Sequence, residues 1–499
     1  MNRHAMAGAL VAMALCAANA FAALPRSVAK PFTDAGIPLA AVGVVVQRVG
    51  ATTPLLAHEP DRPMNPASVM KLVTTFAALE LLGPDYRWKT EAYLGGAFVN
   101  GVLAGNLILK GYGDPKITIE QWQALITKLR AQGLESITGD LVIDRSYFRL
   151  PRYDPAAFDG EPLKPYNVGP DPLLVNFKSV RFVFAPNAAG DGVDLLVEPT
   201  LSPVGVGPPP ALGGGECSDW RGAVAAAFAN GSASARVNFS GRYPASCGER
   251  DWYLALLDAP HYAHAMFATY FNAAGGRFFG GLVEGRVPFG ATPFATLESP
   301  PLYDIVRDVN KLSNNVMARQ IFLTLATTAH KPPVSTTEAI DTVQRWLQRR
   351  KLALPGLVME NGSGLSRNER ITAGGLAQLL AAADASKVRD EFASSLAVAA
   401  VDGTVARRFA NGTVAGQALL KTGSLDQVRA LAGYVIGPDG ERWIVAALIN
   451  HPQAANGARA LDNLVQWVYR DAPTWQPEKE PPAPASAPRA PAKSTGKRR

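Results

Sequence analysis

Two apolar runs near the start of the chain, LAAVGVVVQRV and PLLAHEP, flank a Gly-Ala-Thr-Thr turn and predict a pair of short strands. Asn65-Pro66 then offers an N-cap residue followed by proline at the first helical position. Leu72, Phe76 and Leu79 recur at helical spacing, so a helix with a buried face should run to about Gly83-Pro84. From Arg87 to about Gly285 the texture changes. RWKTEAYL, GNLILKG and GDLVIDRSYF predict strands, with one helix, TIEQWQALITKLRAQG, among them, and SPVGVGPPPALGGGE from Ser202 reads as a loop or linker. Helical periodicity returns after Leu297 in SPPLYDIVRDVNKLSNNVMARQIFLTLA, TTEAIDTVQRWLQRR and ITAGGLAQLLAAADAS. The stretch ALLKTGSLDQVRALAGYVIGPDGERWIVAALIN predicts three strands, and ANGARALDNLVQWVYRD a closing helix. Two early strands and three late ones imply an α/β layer in which both ends of the sequence meet, interrupted by a β-rich insertion. No internal repeat is present.

The termini change the picture in two ways. Residues 1–22 have a basic start, an apolar middle of about 14 residues and small residues before a cut after Ala22, the order of a secretory signal rather than a span of ~20. The expectation is an exported, soluble, periplasmic chain. The formal net charge of +7 is concentrated at the end, where residues 477–499 hold six Lys or Arg against two Glu in a Pro/Ala-rich segment too poor in apolar residues to fold. The near-balanced body carries no nucleic-acid signature. Export leaves Cys217 and Cys247 in an oxidising place, where a disulfide between them is expected to contribute roughly 3–4 kcal/mol. No Cys or His pair has zinc-ligand spacing, so no metal is expected.

The candidate chemistry begins with Ser68 and Lys71 at the mouth of the first apolar helix. Serine is a weak nucleophile until a base takes its proton. Three residues apart on a helix, the amine can reach the hydroxyl. Burial and the positive helix end both favour the neutral amine, the form able to act as base. S-x-x-K also occurs at Ser27–Lys30, where Pro31 should stop any helix, and at Ser494–Lys497 in the tail. Only Ser68–Lys71 opens an amphipathic helix. Lys421-Thr422-Gly423-Ser424 lies on a predicted strand, where Lys and Thr can hold a carboxylate and Gly423 lets a ligand lie against the backbone. Ser313-Asn314-Asn315 begins a helix with a strong apolar face and is preferred over the rival Ser366-Arg367-Asn368, which lies in a glycine-rich loop.

S-x-x-K, S-x-N and K-T-G in this order form the signature of penicillin-binding proteins and serine β-lactamases. The chain resembles, more closely, the penicillin-binding protein 4 type of D-Ala-D-Ala carboxypeptidase/endopeptidase, the low-molecular-mass class C. Supporting stretches are GYGDP at 111–115, GDLVIDRSYF at 139–148, ENGSGLSR at 360–367, the cysteine pair and the long insert between Ser68 and Ser313. The resemblance implies an α/β (α+β) transpeptidase-like domain, an antiparallel sheet flanked by helices, from residues 23–88 and 288–476, with 89–287 inserted. It implies that Ser68 attacks the carbonyl between two D-alanines of a peptidoglycan stem peptide while Lys71 takes its proton. Ser313 with Lys421 would pass a proton to the leaving amine, and Asn315 would pair with the substrate amide. The Ser68 and Ser424 amides would form the oxyanion hole, and Lys421, Thr422 and Ser424 would bind the terminal carboxylate. β-Lactams become expected ligands, and no cofactor is called for. Two rivals stand beside this: a β-lactamase or esterase on the same fold, and a non-catalytic envelope scaffold, which would have no reason to keep both lysines. No pattern noted above encodes an oligomeric state.

Overall fold

In the computed structural model Val42–Arg48, the first long strand, lies antiparallel to Arg442–Asn450, the last, with Val42 opposite Ile449. The structure describes residues 24–410 and 412–476, so the leader and basic tail read from the sequence lie outside the described residues. The central sheet has six strands in the order Ala397–Val398, Ala418–Leu425, Val428–Ile436, Arg442–Asn450, Val42–Arg48, Leu56–His58. Every pairing in it is antiparallel.

Both faces of this sheet are covered, which explains why WIVAALI shows no polar alternation. Ala430, Ala432, Tyr434, Ile444, Ala446 and Leu448 join a core built with the helices Lys71–Leu82, Leu302–Lys311, Asn315–Ala326, Thr336–Arg349 and Ala373–Asp384. On the other face Leu431, Val435, Val445, Ala447 and Ile449 pack with Val28 and Phe32 of the helix Arg26–Asp34 and with Leu461, Leu464 and Val468 of Ala458–Arg470. Here one sequence expectation fails. Pro31 does not stop the helix that carries Ser27 and Lys30; it sits inside it. The buried anchors Val28 and Phe32 straddle the proline, and their packing outweighs the backbone bond it forgoes.

Between residues 89 and 298 the chain builds separate sheets around its own core. It leaves along Lys89–Val99 and returns along Ala295–Glu298, adjacent antiparallel strands that pair Lys89 with Glu298. The expected helix is Ile119–Ala131, capped by the Thr118 side chain. The sequence reading overlooked a second long helix, Ala259–Ala273, whose N-cap is Asp258, because its apolar residues lie nearly all round. The glycine- and proline-rich stretch from Ser202 also holds two short strands, Val204–Val206 and Ala211–Gly213, paired to Ala235–Phe239 and Arg242–Pro244. Val204 joins the core of the insertion, and Val206 and Leu212 pack against it. Cys217 and Cys247 form a disulfide here.

The insertion is bonded to the helix that follows Ser313. The Gln320 amide binds Asp171 like a short strand partner, accepting from its N–H at 3.1 Å and donating to its carbonyl at 2.7 Å. Arg319 donates to the Val168 carbonyl at 2.9 Å. Among the described residues no helix is long and apolar enough to cross a membrane.

Candidate active site

Ser68 sits one turn earlier than the helix proper. Ala67–Met70 is a single 3₁₀ turn, and the α-helix begins at Lys71. Asn65 is no cap for that helix. Its Oδ1 accepts from the Ala67 amide at 2.9 Å, and its Nδ2 donates to the Ser366 carbonyl at 2.8 Å. Its backbone exchanges two bonds with the side chain of Asn450, at the end of the last strand. Ala67 itself adopts a left-handed φ of +46°. A non-glycine residue there costs about 1–2 kcal/mol, and the surrounding asparagines hold it.

Lys71 is fully buried, and its Nζ lies 2.9 Å from Ser68 Oγ, 2.6 Å from Asn315 Oδ1 and 2.5 Å from the Ser363 carbonyl oxygen. Burial, then the nearby Lys421 and Arg319, push its pKa well below the ordinary lysine value, with Glu369 acting the other way. A neutral amine has two N–H bonds and one lone pair. With Asn315 and Ser363 as acceptors for the two N–H bonds, the lone pair is left facing the Ser68 hydroxyl.

Ser313 occupies the break between the helices ending at Lys311 and starting at Asn315, with a left-handed φ of +59°. The helix start expected at Ser313-Asn314-Asn315 is present, two residues further on than Ser313 itself. The N-cap is Asn314, whose side chain accepts from the Met317 amide, so the Ser313 hydroxyl is free of that duty and points to Lys421. Lys421 Nζ lies 2.8 Å from Ser313 Oγ; burial alone lowers its pKa to about 7.

On the strand Ala418–Leu425, Lys421 and Gly423 face the Ser68 turn, whereas Thr422 and Ser424 lie on the other side of the pleat. A Cβ on Gly423 would stand 2.5 Å from the Pro66 carbonyl oxygen, so glycine lets the strand abut the nucleophile turn. The sequence had suggested room for a ligand instead. Ala397–Val398 covers only Leu419 and Leu420, which leaves the outer edge from Lys421 onward unpaired in the sheet. Thr422 Oγ1 donates to Thr404 Oγ1 at 2.8 Å.

The structure thus brings together Ser68, Lys71, Ser313, Asn315, Lys421, Gly423 and the edge carrying Thr422 and Ser424. The rival Ser366 is buried elsewhere: its Oγ donates to Glu360 and accepts from the amides of Asn368 and Glu369. Ser27 and Lys30 are exposed on the first helix, and Ser494–Lys497 lies outside the described residues. Asn65, Ser363, Glu369, Thr404 and Asn450 were not foreseen. Only the polar, glycine-rich run NGSGLSRNER hinted at the loop that brings two of them.

Sheet, helices and converging motifs define a serine enzyme of the penicillin-binding, transpeptidase-like fold. Over residues 24–470 the chain matches, and it belongs to, the D-Ala-D-Ala carboxypeptidase 3 (S13) family. A D-alanyl-D-alanine carboxypeptidase from Actinomadura sp. is 26% identical over 454 residues, covering 87% of this chain and 81% of the relative. Penicillin binding protein 4 from Haemophilus influenzae shares the fold with a TM-score of 0.74 at 24% identity, over 89% of this chain and 99% of that one. A crystal structure of that protein complexed with a β-lactam superposes with a TM-score of 0.70 at 23% identity, with the same coverage.

Proposed function

We propose that the protein hydrolyses the peptide bond between two D-alanines of peptidoglycan stem peptides through an acyl-enzyme on Ser68. Ser68 Oγ passes its proton to Lys71 Nζ as the oxygen bonds to the scissile carbonyl carbon. The Ser68 and Ser424 amides receive the oxyanion. As the tetrahedral species collapses, the amine of the terminal D-alanine leaves with a proton relayed through Ser313 and Lys421. Water then releases the acyl group and restores the serine. The unpaired edge beyond Lys421 receives the substrate backbone as an added strand, with Asn315 on its amide and Lys421, Thr422 and Ser424 on its carboxylate. The same reading makes the segments before Lys89 and after Glu298 the catalytic domain, the stretch between them an inserted one that runs about ten residues past the expected 287, and the periplasm the place of action. Cleavage of cross-links, where the leaving amine belongs to a second stem, needs no additional group.

The observation that carries this reading is the approach of a fully buried lysine amine to Ser68 Oγ at 2.9 Å. A β-lactam, a strained amide beside a carboxylate, is the probe. Mass spectrometry of penicillin-treated protein should place one adduct on the peptide holding Ser68. Ser68→Ala should abolish it and Ser27→Ala should retain it. Hydrolysis of the drug without a trapped adduct would favour the β-lactamase alternative, and neither adduct nor turnover a scaffold. Weighing the products of cross-linked muropeptide digestion separates carboxypeptidase from endopeptidase action.

A further inference from the structure

Glu369 is a buried acid that the reaction described above does not use. Its Oε1 accepts three backbone N–H bonds, from Glu360 at 3.0 Å, Asn361 at 2.9 Å and Gly362 at 3.0 Å. Its Oε2 is buried with no hydrogen-bond partner among the described residues. Three amides converging on one oxygen form a site for an anion. The hydrogen bonds of this side chain are therefore spent on curling residues 360–362 around it. The carbonyls that follow turn outward onto the catalytic helix: Gly362 accepts from Thr74 Oγ1 at 2.6 Å, and Ser363 accepts from Lys71 Nζ at 2.5 Å. Gly364, with φ of +79°, lies so close to the nucleophile turn that a Cβ would stand 1.9 Å from the Ala67 carbonyl oxygen.

We infer that Glu369 is a positioning residue for Lys71: it clamps the 360–366 loop so that the Ser363 carbonyl fixes the amine, and it supplies the negative charge that offsets the cations gathered there. This rests on the roles proposed for Ser68 and Lys71. The charged groups facing Lys71 come from three elements: Lys421 on the motif strand, Arg319 on the helix after Ser313, and Glu369 on the loop. The two cations disfavour a protonated Lys71, and Glu369 favours it. Burial raises the pKa of Glu369 above the ordinary carboxylate value, while the three amides and Lys71 act the other way and favour its charged form. When the Ser68 proton arrives on Lys71, a buried ammonium appears beside two other cations. A carboxylate at this place stabilises that charge.

The test is the rate of acylation by a chromogenic β-lactam as a function of pH, measured on the full chain with Glu369→Gln and Glu369→Asp. Glutamine keeps an oxygen for the amides and removes the charge. Its acid limb should move about one pH unit lower, because the neutral amine persists to lower pH. Its plateau should fall about tenfold, with the adduct still on Ser68. Aspartate keeps the charge and shortens the reach, so its limb should stay near that of the unmodified chain while its thermal midpoint drops. It also tests the idea if the glutamine variant fails to fold: a limb displaced as far as one pH unit in Glu369→Asp would overturn the inference. So would an unmoved limb in Glu369→Gln, whether the rate is unchanged or falls in step with the melting temperature. An adduct on another serine in the unmodified chain would instead overturn the proposed function, and this inference with it.

Discussion

Lys421 Nζ and Ser313 Oγ stand 2.8 Å apart although 108 residues separate them, and both belong to positions with little freedom. Ser313 is held in a left-handed turn between helices, and Lys421 is wholly buried on the motif strand. With its pKa lowered to about 7, Lys421 passes between ammonium and amine near neutral pH, as a relay to a leaving amine requires. The ammonium is present below that pH and lost above it. The kcat/KM profile on a D-Ala-D-Ala peptide should therefore show an alkaline limb near pH 7. Ser313→Ala should lower the plateau by ~10²-fold or more. A profile flat through that region would show that the charged form of Lys421 is not needed.

Lys71→Ala removes the base and leaves the nucleophile. Acylation by penicillin should slow by ~10²–10⁴-fold, measured by stopped flow, while the slow label that does form remains on Ser68. A loss under about fivefold would mean that another group takes the proton.

Gly364 and Gly83 make a controlled pair. Both have left-handed φ values, +79° and +87°, but a Cβ at Gly364 meets Ala67, whereas at Gly83 nothing lies within 4 Å. Gly83→Ala should cost about 1–3 kcal/mol of stability through its backbone conformation and leave acylation unchanged. Gly364→Ala should cost more and slow acylation at least tenfold by displacing the Ser68 turn. Equal acylation rates in the two variants would show that the loop does not brace the nucleophile.

Breaking the disulfide should act on the insertion. Cys217 and Cys247 are 30 residues apart; Cys247 lies within the core of the inserted region and the half-buried Cys217 packs against it. Replacing both with serine should lower stability by roughly 3–4 kcal/mol in denaturant melts monitored by tryptophan fluorescence. Acylation of Ser68 should stay within a few-fold. Loss of the adduct under folding conditions would mean that the insertion shapes the site more directly than its bonds through Arg319 and Gln320 suggest.

Asp114 should make stability fall as pH rises. One of its oxygens accepts from the Lys116 amide at 2.8 Å; the other is buried without a partner among the described residues. Desolvation raises its pKa from 3.8 to about 7. Between those values the folded chain retains a proton that the unfolded chain has lost, so this group's contribution declines across that window. Asp114→Asn should remove the decline, gaining stability relative to the unmodified protein above pH 7 and little near pH 4. Parallel stability curves for the two proteins would sink the assignment.

Local spacing carried the motifs, and distance in sequence hid what supports them. Ser68 and Lys71 are one turn apart, and Lys421 to Ser424 are contiguous on a strand, so their joint geometry is already present in a short window. Nothing local distinguishes Glu369 from a solvated acid, or Asn65 from a helix cap. Their duties depend on Lys71 and Asn450, which the fold supplies from far away. Pro31 and the helix Ala259–Ala273 were misread or missed for a related reason: their burial on neighbouring elements decides their conformation, and periodicity in one segment does not report it.

The strand Val42–Arg48 finds its full-length neighbour only in Arg442–Asn450, and Asn65 is tied to Asn450 across 385 residues. A chain made from its amino end thus presents the nucleophile long before the strand that braces it exists. Every stage short of the last strand holds Ser68 in a half-built sheet with an exposed apolar edge. Truncation before Arg442 should therefore leave an unpaired apolar strand edge that favours aggregation over residual activity. The topology thus ties the geometry around Ser68 to the arrival of the last strand.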